Sequence, residues 1–128
     1  MNIKQKIKDI VPEMIEWRHQ IHEKPEIAYQ EKVTSKFIAE KLKDFGVEVI
    51  QNFGKTGVVG IIEGKQNKEQ EKSIAIRADM DALPMTEKTN LPYSSKNEGA
   101  MHACGHDGHA TMLLGAAKYL SETKNFYG

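Results

Sequence analysis

The chain has 128 residues and equal numbers of basic and acidic side chains, 18 of each, so its formal net charge is zero. A hydrophobic share of 39% beside 28% charged residues is enough apolar material for one packed domain and excludes a disordered tail. Lysines are scattered among glutamates, so no basic face exists to neutralise phosphates, and no apolar run reaches the ~20 residues of a membrane helix; nucleic acid and membrane are not expected as partners.

The first stretch, MNIKQKIKDI, separates its isoleucines with polar residues, unlike a secretory signal. The single cysteine cannot form an internal disulfide, which fits a reducing, cytoplasmic setting. Ile3, Ile7, Ile10, Met14 and Ile21 recur at helical steps. Pro12 interrupts them, so the pattern predicts a short helix, a break, and a second helix with Pro12 in its first turn, ended before Pro25. Val33, Phe37, Ile38, Leu42 and Phe45 predict an amphipathic helix over Glu31 to Phe45, with Gly46 as its left-handed cap.

Two strands are expected next, at Val47 to Ile50 and Gly57 to Glu63, followed by a polar surface turn from Gly64 to Lys72. The apolar run SIAIRA, Ser73 to Ala78, predicts a third, buried strand. Asp79 to Asp107 has no clear period, and a loop that long in a compact domain is usually functional or disordered. Met112, Leu113, Ala116, Ala117 and Leu120 then mark a helix over Gly108 to Leu120. Helices mixed with short apolar strands predict an α/β fold.

Two groups of residues could carry chemistry. RADMDALP, Arg77 to Pro84, places Asp79 and Asp81 just past a predicted strand, where ligands gather in open α/β sheets. In an extended chain both carboxylates point the same way and repel unless a cation lies between them. The competing reading is an Asp-rich turn.

The second group is MHACGHDGHA, Met101 to Ala110, which holds three of the five histidines and the only cysteine. Cys104 and His106 flank Gly105, which lets the backbone fold tightly behind them. A thiolate with an imidazole suits zinc, manganese, cobalt or related ions. His102 and His109 could be ligands or supporting donors, and Asp107 could cap the following helix. Against this stand a lone cysteine acting as a small buried hydrophobe and histidines that only serve a turn. A cysteine nucleophile is a poorer fit, because a base two residues away on the same loop has little freedom to reach the sulfur. His19 and His22, three apart on a helix, fit a solvated or hydrogen-bonded role better than chelation.

RHQIHEKPEIAYQE (Arg18 to Glu31), KTGVVG (Lys55 to Gly60), RADMDALPM (Arg77 to Met85) and MHACGHDGHATMLLGAAKYL (Met101 to Leu120) together resemble the M20 metallopeptidase family, in its amidohydrolase branch. The resemblance implies the N-terminal part of a zinc-peptidase-like catalytic domain, a mixed sheet flanked by helices, over residues 1–128. It implies Cys104 and His106 as metal ligands, Asp81 as the aspartate that steadies the site, and Asp79, His102 and His109 as supporting residues. Two divalent ions (Zn2+, Mn2+ or Co2+) would activate a shared water against the amide of an N-acyl amino acid such as hippurate. The family's Glu-Glu pair, further histidine ligands and dimerisation domain have no counterpart in these residues, so the chain alone is expected to be inactive and the longer parent to be a homodimer or homotetramer. The alternatives are a dipeptidase of the same family and a non-catalytic metal-binding or interaction module.

Overall fold

A computed structural model describes residues 3–65 and 72–128. Three helices and one hairpin follow in order: α1 (Ile3–His22), α2 (Lys32–Asp44), β1 (Glu48–Phe53), β2 (Gly57–Ile61) and α3 (His106–Thr123). The fold is α/β, as the pattern predicts. Among the described residues the sheet is the antiparallel β1–β2 pair, and parallel pairing is confined to the isolated bridges Ile27–Ala82 and Lys65–Tyr127.

The expected break at Pro12 is absent: α1 runs through it unbroken. Pro12 and Lys8, the residue whose carbonyl loses its helical partner, are both exposed, so solvent can serve that carbonyl. Burial of Ile10, Trp17 and Ile21 on one stripe holds the helix on both sides of the proline. This stripe packs against α3, where Gly115 permits a close crossing: a Cβ there would lie 2.6 Å from Met14 Sδ.

At the end of α2, Gly46 has φ of 73°, as its predicted capping role requires. Its N–H donates to the Lys43 carbonyl, and the Val47 N–H donates to the Leu42 carbonyl. This is a Schellman ending, and the accompanying apolar contact is supplied by Leu42 and Val47, both members of the buried core with Ile10, Trp17, Leu114 and Ala117. The same contact seats the hairpin, because Gly60 in β2 lies against Val47 and Leu42.

The third strand is a correction. Ser73–Ala78 has no ladder partner among the described residues, and Ile74 and Ile76 are 89% and 63% exposed. An apolar run becomes a buried strand only where a neighbouring strand and a covering layer receive it, and the described residues supply neither. The predicted turn from Gly64 to Lys72 falls mostly on residues outside those described.

The long segment between Asp79 and Gly105 is irregular but anchored to the α1–α2 connection. Ala82 N–H donates to the Glu26 carbonyl, Lys96 N–H to the Glu23 carbonyl, and the Asn97 side-chain amide to the Pro25 carbonyl. Leu83 and Met101 exchange two backbone hydrogen bonds, which brings the two sequence motifs side by side. No described helix is long and apolar enough to cross a membrane.

Candidate metal site

Gly105, with φ of 97°, is the residue before α3. That left-handed conformation turns the chain sharply between Cys104 and His106, which is what glycine permits and a side chain resists. The helix therefore starts at His106, two residues before the predicted start.

His106 Nδ1 donates to Asp81 twice, to the backbone carbonyl at 3.0 Å and to Oδ1 at 2.9 Å. A carbonyl oxygen can only accept, so Nδ1 carries a proton, and in the neutral ring the lone pair is left on Nε2. Asp81 thus sets both the orientation and the tautomer of a histidine that keeps one nitrogen open to a Lewis acid. Cys104 is exposed, with a free thiol. An open imidazole nitrogen and a thiol flanking one tight turn are donors suited to a borderline-soft divalent ion, so the residues present fit part of such a site. Among the described residues no cluster of three or more His, Cys, Asp or Glu side chains is arranged to hold a metal.

The supporting candidates divide. Asp79 pairs with Arg77 and is half-exposed, while Asp81 pairs with His106. His109 is exposed, its ring centroid 5.9 Å from that of His106. His102 is 4% exposed, and neither ring nitrogen has a hydrogen-bond partner. Burial pushes its pKa below the usual histidine range, against the opposing pull of the nearby Asp107 carboxylate.

Asp107 is a larger surprise. It does not cap α3 from outside; it sits in the first turn, 0% exposed. Its Oδ2 accepts from Arg18 Nε at 2.9 Å and from His22 Nδ1 at 2.7 Å. Burial alone would raise its pKa, but the His22 hydrogen bond, the Gly108 N–H and the Arg18 charge together hold it below the usual carboxylate range. The second nitrogen of His22, Nε2, lies 3.1 Å from Glu87 Oε1. Glu87 is also held low: burial raises it, and bonds from Thr89, the Ser95 N–H and His22 outweigh that. His22 is therefore in contact with a carboxylate at each ring nitrogen, while His19 stacks on Tyr93 at 3.8 Å between centroids. The available sequence signal was Arg18 and His22, four apart and so on one helix face, in need of a buried anion.

Residues 75–127 match the peptidase family M20/M25/M40. Hippurate hydrolase of Campylobacter jejuni is 56% identical over 128 residues, covering 100% of this chain and 32% of that protein. Thermostable carboxypeptidase 1 of Saccharolobus solfataricus is 48% identical over 130 residues, covering 98% of this chain and 32% of that protein. The crystal structure of the YXEP protein of Bacillus subtilis, described as a dinuclear metal-binding peptidase from the M20 family, superposes with a TM-score of 0.85 at 41% identity, covering 92% of this chain and 33% of that one. In sequence and in fold the chain is similar to part of these proteins. It spans about a third of the length of the curated relatives it matches, 32% in both cases. The Cys104–Asp107 turn and α3 lie within the span that matches the M20 family, whereas α1 with Arg18 and His22 precedes it.

Proposed function

We propose that this chain supplies the Cys-x-His side of a two-metal hydrolytic site in a longer M20 amidohydrolase, acting on N-acyl amino acids of the hippurate type and releasing a carboxylic acid and an amino acid. The observation that carries the reading is His106, held through Nδ1 by Asp81 with Nε2 open, beside the exposed Cys104 thiol. Cys104 and His106 are the metal ligands in this reading, Asp81 the residue that orients His106, and Asp79, His102 and His109 supporting residues. When bound, divalent ions would lower the pKa of a coordinated water and polarise the amide carbonyl. The chain's own part is to hold the imidazole in one tautomer, present the thiolate at a fixed turn, and anchor both to α1 through Asp107. The named hippurate hydrolase, 56% identical over all 128 residues, supports the substrate class.

Residues 1–128 are, in this reading, the N-terminal part of the catalytic domain, with the general base, the remaining ligands and the dimerisation domain supplied by further sequence. The protein works in the cytoplasm as a homodimer or homotetramer. The 128-residue chain alone turns over no N-acyl amino acid above a metal-only blank.

A second reading, a peptidase acting on free peptides, draws support from the carboxypeptidase relative at 48% identity. The test is to read the coding frame beyond codon 128, express the extended protein, and compare hippurate with a free-amine dipeptide in the presence of Zn2+, Mn2+ or Co2+. Faster hydrolysis of hippurate, lost in Cys104→Ser, supports the amidohydrolase. Faster cleavage of the dipeptide supports the peptidase. A stop at codon 128 supports a non-catalytic metal-binding or interaction module.

A further inference from the structure

The α1 motif containing Arg18 and His22 is left over once the metal turn has been assigned, yet its side chains reach the first turn of α3. Asp107 directly follows His106 and is wholly buried. The same carboxylate oxygen takes Arg18 Nε and His22 Nδ1. Arg18 is more than a third exposed, so its share is weakened by solvent, whereas His22 and Asp107 are both closed off. His22 also reaches Glu87, in the segment that joins the Asp81 motif to the Cys104 motif. A buried carboxylate is expensive without donors, so its position follows theirs.

We infer that His22 is a positioning residue for the metal turn: acting through Asp107, it fixes the start of α3 and thereby the hydrogen-bonded placement of His106 against Asp81. Asp107 cannot move without carrying the adjacent His106 with it. The Asp81 side of the contact is anchored separately, by the Ala82 N–H on the Glu26 carbonyl. His22 is therefore the link on the α3 side, and the contact with Glu87 is secondary. The inference rests on the metal-site reading only for its consequence, because the contact it concerns exists without metal.

The test uses the full, metal-free chain labelled with 15N-histidine. In the wild type, observed with the ring neutral, His106 gives widely separated ring nitrogen shifts, Nδ1 protonated and Nε2 bare. His22→Asn places an amide nitrogen where Nδ1 was and keeps the bond to Asp107; His22→Gln places it where Nε2 was and keeps only the bond to Glu87. With far-UV circular dichroism unchanged, the Asn variant keeps the separated pair and the Gln variant collapses it to averaged shifts. Separated shifts in a folded Gln variant, or their loss in the Asn variant, would overturn the inference. Should the Gln variant fail to fold, Asp107→Asn is read in the same way, with loss of the separation expected and its retention contradictory. A chain that shows the Asn–Gln difference but binds no Co2+ sinks the metal reading and leaves this one standing.

Discussion

Asp81 and His106 are 25 residues apart, and Asp81 holds the imidazole with both its carboxylate and its own backbone carbonyl. The backbone contact decides the tautomer and survives any side-chain replacement; the carboxylate adds charge and basicity. Asp81→Ala is accordingly expected to weaken Co2+ binding by about 10- to 100-fold while preserving the fold, the usual cost of losing a carboxylate behind a metal-binding histidine. A Co2+ titration of both proteins measures it, and equal affinities would remove Asp81 from the site.

Gly105 tests the turn itself. A Cβ there meets nothing within 4 Å, so Gly105→Ala isolates the strain of a side chain at φ of 97°. The expected loss is about 1–2 kcal/mol in urea unfolding. A neutral substitution would mean that the turn relaxes, and the Cys104–His106 geometry with it.

Glu26 caps α2 from outside the helix. Its carboxylate accepts from the Val33 N–H at 3.0 Å and from both the N–H and the hydroxyl of Thr34 at 2.8 Å, while the helix's own preceding residue, Glu31, makes no side-chain cap. Glu26→Ala should cost about 1–2 kcal/mol, the upper range for a lost cap. Glu26→Gln, which keeps an acceptor oxygen, should recover part of it. Equal melting temperatures for wild type and the alanine variant would contradict the capping role.

Glu87 predicts a pH dependence. Its folded-state pKa lies below the ordinary value, so the unfolded chain binds its proton first as pH falls. The stability it contributes is complete above the unfolded value of about 4.3 and is lost as pH drops through the lower folded value. Urea midpoints of wild type and Glu87→Gln should therefore differ most near neutrality and converge in acid. A gap that stays constant down to pH of about 3 would rule out the carboxylate as its source.

How much of this was legible in the sequence depends on where each residue's partner lies. The α2 ending was readable because Gly46 answers a local backbone demand, and the two strands because each carries its own short apolar run, although their pairing was not predicted. The Cys104–His106 turn was readable for the same reason. The continuity of α1 through Pro12 was not, since it depends on burial of Trp17 and Ile10 against other elements. SIAIRA misled because hydrophobicity states a need for burial without naming what meets it. Asp107 was hidden among motif residues until Arg18 and His22, 89 and 85 positions away, were seen to converge on it.

Cobalt titration of the 128-residue chain, read by the thiolate-to-Co2+ charge-transfer absorption, tests most directly whether Cys104 and His106 bind metal together. Weak, saturable binding with that absorption, abolished by Cys104→Ser and sharply reduced by His106→Ala, is expected of a two-donor half-site. No thiolate band at saturating Co2+, or a band indifferent to the loss of His106, would contradict it.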